Sequence, residues 1–215
     1  MNQAYIKLRK DIISLIEGKN LKVLDVGCSN GINGKWLLDQ GMATEVIGVE
    51  THQESVVNAK KNITKVIEKS IEDEALLQSL KGEKFDYIIL GDVLEHLLDP
   101  WHVLSELEKS LKSSGKIIIS LPNVQHIETL KHLVFKGKFP YEPSGLYDKT
   151  HMRWFTLKNI EELVDQADMK IEELTRVMRY SAYKGGFPLI PRIFKKLGLF
   201  KNFFTFQYVF RCVKK

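Results

Sequence analysis

Short apolar runs of strand length alternate with helix-spaced segments along this chain of 215 residues, an order that few folds accept. The runs Lys22 to Gly27, Glu45 to Glu50, Lys65 to Lys69, Lys84 to Gly91 and Lys116 to Leu121 read as strands, and Lys170 to Val177 and Phe206 to Val213 as two closing strands. Between them, Tyr5 to Ile16, Gly34 to Gln40 and Ser55 to Asn62 carry apolar residues near helical spacing. Asp99-Pro100 opens a further helix, with aspartate as N-cap and proline at the first helical position, and Thr156 caps one from Leu157 to Ala167. Strands alternating with helices imply right-handed crossovers and a doubly wound, mostly parallel sheet. Ligands of such sheets bind outside the carboxyl ends of the strands, so the informative residues are expected just after each strand.

Glycines and carboxylates concentrate at those places. Asp25-Val26-Gly27-Cys28-Ser29-Asn30-Gly31 follows the first strand, and its glycines let the backbone turn tightly and approach a ligand. Glu50 ends the second strand, where a carboxylate can accept both hydrogen bonds of a ribose diol. A dinucleotide site would need G-x-G-x-x-G, but its second glycine position holds Ser29, and no Lys or Arg lies in the loop before Lys35. An acidic, phosphate-free loop suits S-adenosylmethionine (SAM) better, which presents a ribose, an adenine, an amino-acid end and a sulfonium cation.

Loop and chain order resemble the class I SAM-dependent methyltransferases, whose first motif has the form D-x-G-x-x-x-G. The segment Gly91-Asp92-Val93-Leu94-Glu95-His96-Leu97-Leu98-Asp99-Pro100 is similar to the D-V-L-E-H-x-x-x-P stretch of ubiquinone-biosynthesis-type methyltransferases. The resemblance covers roughly residues 20 to 170. It implies an α/β fold: a doubly wound, mostly parallel seven-stranded sheet with helices on both faces and the last strand antiparallel. It also implies SAM held by Asp25, Gly27, Cys28, Ser29, Gly31, Glu50, Asp92 and Val93. Ser70 and Ile71 fall where the family contacts adenine, with serine in place of its usual acid.

The stretch from about 123 to 156 is a polar, aromatic insertion between strands, expected to form a substrate lid. Its ends, Pro122-Asn123-Val124-Gln125-His126 and Asp148-Lys149-Thr150-His151-Met152-Arg153-Trp154-Phe155-Thr156, resemble a bacterial methyltransferase subgroup associated with polysaccharide and glycan biosynthesis. Asp148 and His151 stand one helical turn apart, so the carboxylate is expected to orient the imidazole as a general base. His126 is a second candidate base; Asn123, Tyr147 and Arg153 are candidate acceptor contacts. A structural plug capping the next helix is the competing reading of the same residues.

Hydrophobic residues make up 44% and charged residues 27%, proportions of an ordinary globular chain, and a single methyltransferase domain over 1–215 is expected. Cys28 and Cys212 have no metal-ligand spacing, so no metal site is expected, and they cannot supply the three ligands of a radical-SAM cluster. With no signal-peptide pattern and no apolar run of roughly 18 residues, a cytoplasmic location is expected. All 27 acidic residues precede Leu174, while ten basic ones follow it, so the first 173 residues carry 22 basic side chains. That basic end, with an expected insertion at about 181–204, suggests an anionic acceptor or peripheral membrane contact. No RNA-binding module is evident, which makes nucleic acid an unexpected partner; a small-molecule or glycan acceptor is expected, with an RNA methyltransferase or a non-catalytic SAM-binding protein as alternatives.

Overall fold

The structure is a computed structural model and describes residues 7–178 and 201–215. Seven strands form one sheet: β1 (Leu21–Val26), β2 (Ala43–Glu50), β3 (Lys65–Glu68), β4 (Phe85–Gly91), β5 (Leu111–Pro122), β6 (Met169–Met178) and β7 (Thr205–Lys214). Their order is β3-β2-β1-β4-β5-β7-β6, with β1 to β5 parallel and β7 antiparallel to both its neighbours. This is the expected architecture.

Alternate side chains of each strand enter opposite cores. Leu24, Ile88, Leu90 and Ile117 pack under α4 (Glu74–Leu80), α5 (Pro100–Lys109) and α7 (Leu157–Gln166). Val23, Ile89 and Ile118 pack on the other face, under α1 (Lys10–Ile13), α2 (Ile32–Asp39) and α3 (Gln53–Ala59). Two further α-helices among the described residues are α6 (Ile127–Lys136) and the short α8 (Lys201–Phe204). Among the described residues no helix is long and apolar enough to cross a membrane.

Helix starts follow their capping signals. Asp99 accepts from the His102 backbone N–H at the head of α5, and Thr156 and Asn159 form a reciprocal capping box on α7. Several boundaries differ from the sequence reading. The first helix spans only Lys10–Ile13, and residues 5 and 6 of the expected helix lie outside the described residues. Strand β5 begins at Leu111 rather than Lys116, because Leu111 pairs with Phe85 ahead of a register shift, and within that shift Gly115 passes the carbonyl oxygen of Phe85 where a Cβ would stand at 2.7 Å. The expected insertion between β5 and α7 contains a full helix, α6, whose outer face exposes Val134 and Phe135. Most of the expected insertion at 181–204 lies outside the described residues.

Candidate active site

The strand order reverses between β1 and β4, and a cavity of about 430 Å³ opens beyond their carboxyl ends. Its floor is the β1 loop with Asp25, Gly27, Cys28 and Ser29, one wall is Gly91, Asp92 and Glu95 after β4, and the roof is Glu142, Ser144, Gly145, Leu146, Tyr147 and His151. Residues 142–151 of the stretch after β5 thus contribute to the cavity lining. Tyr147 is fixed there by its hydroxyl, 3.3 Å from Thr129 Oγ1 on α6.

Two backbone positions make the floor. Gly27 has φ +67°, and a Cβ on it would stand 2.8 Å from Val93 Cγ2, so only glycine leaves the loop this close to the β4 turn. Ser29, also at positive φ (49°), is held by its N–H donating to Glu50 Oε2 at 2.9 Å. The other oxygen of Glu50 accepts from the N–H groups of Thr51 and His52, each at 2.8 Å. Glu50 thus shapes the loop as well as facing it. Cys28 turns its thiol inward against Gly48, burial and the carboxylates of Asp25 and Glu50 pushing its pKa up, so only its backbone is offered to the cavity.

Asp25 carries the unusual charge. Its side chain is buried, Oδ2 has no hydrogen-bond partner among the described residues, and burial with the nearby Glu50 raises its pKa to about 7. Across the cavity Asp92 is satisfied instead: Oδ2 accepts from Arg9 Nη1 at 2.6 Å, and Oδ1 from Ser120 Oγ at 2.6 Å and from Gln207 Nε2. Arg9 and Gln207, both lining the cavity, were not found by sequence reasoning. They come from the two ends of the chain and carry no local motif.

The expected Asp148–His151 dyad is corrected. The residues sit in a turn, not a helix, and Asp148 Oδ1 accepts from the Thr150 N–H (2.8 Å) and hydroxyl (2.7 Å). Burial pushes the Asp148 carboxyl up, but these two bonds and the neighbouring histidines hold it below its ordinary value. The carboxylate that faces His151 is Glu95, its Oε1 4.0 Å from His151 Nε2. Burial, then His96, lowers the His151 pKa against the pull of Asp148 and Asp92; burial, then Asp92, raises that of Glu95.

Other expected contacts lie away from the cavity. His126 caps α6, accepting from the Glu128 N–H at Nδ1, and packs edge-on against Phe206. Asn123 is buried and donates to the carbonyls of Asn202 and Thr205, tying the residue after β5 to α8 and the start of β7. Arg153 donates to the Leu98 carbonyl at 2.5 Å and lies over Trp101. All three tie one part of the chain to another, and none of them lines the cavity. Ile71 is a core residue, and Ser70 is exposed, its Oγ accepting from the Glu72 N–H, so neither lines the cavity.

Comparison with known proteins places these features in a family context. The model of the family described as methionine biosynthesis protein MetW matches residues 9–202. A ubiquinone biosynthesis O-methyltransferase of Bartonella quintana (strain Toulouse) is 34% identical over 125 residues, covering 55% of this chain and 48% of the relative. The bifunctional methionine biosynthesis protein MetXA/MetW of Rhodopirellula baltica is 26% identical over 162 residues, 70% of this chain and 25% of that one. The chain spans about half the length of the ubiquinone-pathway relative. A SAM-dependent methyltransferase from Archaeoglobus fulgidus superposes with a TM-score of 0.65 at 18% identity, over 99% of this chain and 93% of that one.

Proposed function

The chain belongs to the MetW family and has the fold of the SAM-dependent methyltransferases, and on that premise we propose that it binds SAM over the β1 loop and methylates an oxygen of a small-molecule or glycan-type acceptor. The observation that carries this reading is the buried carboxylate of Asp25 at the cavity floor, whose Oδ2 has no hydrogen-bond partner among the described residues. Such a group is costly unless a cation or donor completes it, and a ligand bearing an ammonium and a sulfonium does so. The residues present fit SAM in other respects. Glu50, beside the loop, keeps one Oε2 lone pair for a ribose hydroxyl once its three backbone N–H partners are counted, and Gly27 lines the cavity where a Cβ would meet Val93. Lys7 at the cavity wall offers an amino-acid carboxylate a counter-charge, Arg9 beside it being held by Asp11 and Asp92. Bound there, SAM supplies an electrophilic methyl group on a positively charged sulfur.

The chain's own contribution is placement. Asp92, locked by Arg9, Ser120 and Gln207, fixes the wall after β4, and Tyr147 and His151 close the roof, excluding water and confining the acceptor. Glu95 and His151 are the titratable groups of that acceptor side. The oxygen specificity is supported by the named activity of the ubiquinone-pathway relative.

Calorimetric titration of the full chain with SAM tests the reading. One site per chain is expected, and Gly27→Val, with its added side chain against Val93, is expected to abolish binding while leaving the far-UV circular dichroism unchanged. A folded Gly27→Val chain that binds SAM as the unmodified chain does removes this cavity from the reading. SAM consumption over a panel of hydroxylated acceptors then tests transfer, and binding without consumption of any of them makes the chain a non-catalytic SAM binder.

A further inference from the structure

The acceptor side of the cavity holds a feature that methyl transfer by placement alone does not use. Glu95 and His96 follow β4 on a single 3-10 turn (Leu94–His96), and the roof segment brings His151 onto them. One ligating atom from each of the three lies within 4.8 Å of the others. The two imidazoles meet edge to face with centroids 4.7 Å apart.

Three observations say that this is more than packing. First, Glu95 is 1% exposed, and its Oε2 finds no hydrogen-bond partner among the described residues. Its backbone carbonyl, by contrast, accepts from the N–H groups of Met152 (2.8 Å) and Arg153 (3.0 Å), so the two segments are pinned together around an unsatisfied carboxylate. Second, His151 is 7% exposed with Nδ1 unpartnered among the described residues, and its Nε2 stands 4.0 Å from Glu95, beyond hydrogen-bond reach. Third, His96 is oriented. Its Nδ1 lies 3.1 Å from Thr150 Oγ1 and 3.3 Å from the Thr150 carbonyl, while that hydroxyl donates to Asp148 at 2.7 Å. With its hydrogen spent on Asp148, the hydroxyl accepts from Nδ1–H, which leaves the lone pair on His96 Nε2. A histidine whose second nitrogen is tied to a carbonyl and, through a hydroxyl, to a carboxylate is in the state that a metal ligand requires.

We propose that Glu95, His96 and His151 hold a divalent first-row transition-metal ion whose open positions face the cavity. Two imidazoles and one carboxylate suit zinc, iron or nickel better than magnesium or calcium, which take oxygen ligands. Bonds of about 2.1 Å would draw the three ligating atoms to about 3.4 Å apart, a movement on the order of an ångström or less from their present spacing. Glu95 and His151 both line the cavity, so the unfilled positions meet the acceptor. What the ion would do there rests on the methyl-transfer reading. An acceptor hydroxyl seated on it loses its proton to solvent more readily. The oxygen lone pair then forms the new C–O bond as the C–S bond breaks, and sulfur keeps that electron pair as a neutral thioether.

The site itself is tested without SAM or acceptor. The full-length chain is equilibrated with Zn2+ alone, dialysed, and its metal content measured, with calorimetric titration of the metal-free chain in parallel. One ion per chain is expected. Glu95→Gln, His96→Gln and His151→Gln are each expected to weaken binding by about 100-fold or more, since even outer partners of metal ligands are worth 10–100-fold. His102→Gln, on the exposed His102–Glu74 pair outside the cluster, is expected to leave it unchanged. If the unmodified chain retains neither Zn2+ nor Co2+, the proposal is overturned without recourse to any variant. It is equally overturned if folded Glu95→Gln, His96→Gln and His151→Gln chains retain the ion as the unmodified chain does. SAM binding by the metal-free chain, measured separately, shows whether the metal site or the methyl-transfer reading has failed.

Discussion

Asp25 concentrates the residue-scale physics of this site. Its carboxyl titrates at about 7 because burial and the facing Glu50 both disfavour the charged form. An acid whose folded pKa is raised keeps its proton in the native state while the unfolded chain has already lost it. Its contribution to stability is therefore complete below about pH 4 and is lost as pH rises to about 7, at an expected cost on the order of 4 kcal/mol. Asp25→Asn is expected to remove that decline, so that its advantage in denaturant midpoint grows between pH 4 and pH 7. A cationic ligand reverses the preference, since it favours the ionised carboxylate. SAM affinity is accordingly expected to rise as pH passes through about 7, and to lose that dependence in Asp25→Asn. Titrations of both chains at pH 6 and pH 8 that show parallel affinities would dissociate Asp25 from the ligand. The aspartate itself was legible from its place before the glycine loop. Its burial was not, because an acid on a strand end is solvated or enclosed according to what the tertiary fold puts above it.

At the scale of elements, local chemistry fixed starts better than extents. Thr156 before an amphipathic segment marks the head of α7, and the structure adds the reciprocal Asn159 that completes the box. Removing the cap with Thr156→Ala is expected to cost about 1 kcal/mol, read as a lower denaturant midpoint with unchanged slope. No change in midpoint would mean that the packing of Ile160, Leu163 and Val164 alone sets the helix. The helices α4 and α6 went unread for different reasons. Asp73, which caps α4 by accepting from the Leu76 N–H at 2.8 Å, was present as a signal, but Glu74–Leu80 is too short to show a clear period. In α6 the apolar residues Leu133, Val134 and Phe135 are exposed, so no single buried stripe announces the helix. The Asp-x-x-His spacing at 148 and 151 misled for a related reason. Spacing carries a face only where the backbone is helical, and here it is a turn.

The charge asymmetry belongs to the whole molecule, and folding spends part of it internally. Of the C-terminal cations, Arg211 pairs with Glu172, Glu173 and Glu17, Lys214 with Glu108, and Lys215 with Asp165, while Arg179, Lys184, Arg192, Lys195 and Lys196 lie outside the described residues. Arg211 also donates to the Leu15 carbonyl at 2.9 Å, joining the last strand to the segment after α1. Arg211→Met is expected to destabilise the chain by about 1.5–3 kcal/mol, the range for hydrogen bonds to a charged group, and thermal unfolding measures it. An unchanged midpoint would reduce the cluster to an exposed ion pair of little value. By itself the sequence determined the alternating α/β order, the glycine loop, the acidic ends of β1 and β2 and the caps of α5 and α7. These are local: each is set by a period, a turn residue or a first-turn hydrogen bond within a few positions. Only the tertiary structure decided that Arg9 and Gln207 brace Asp92, that Glu95 rather than Asp148 faces His151, and that His126 and Asn123 tie one part of the chain to another. Those pairings join residues from distant parts of the chain, and which polar atoms are satisfied depends on the packing that brings them together.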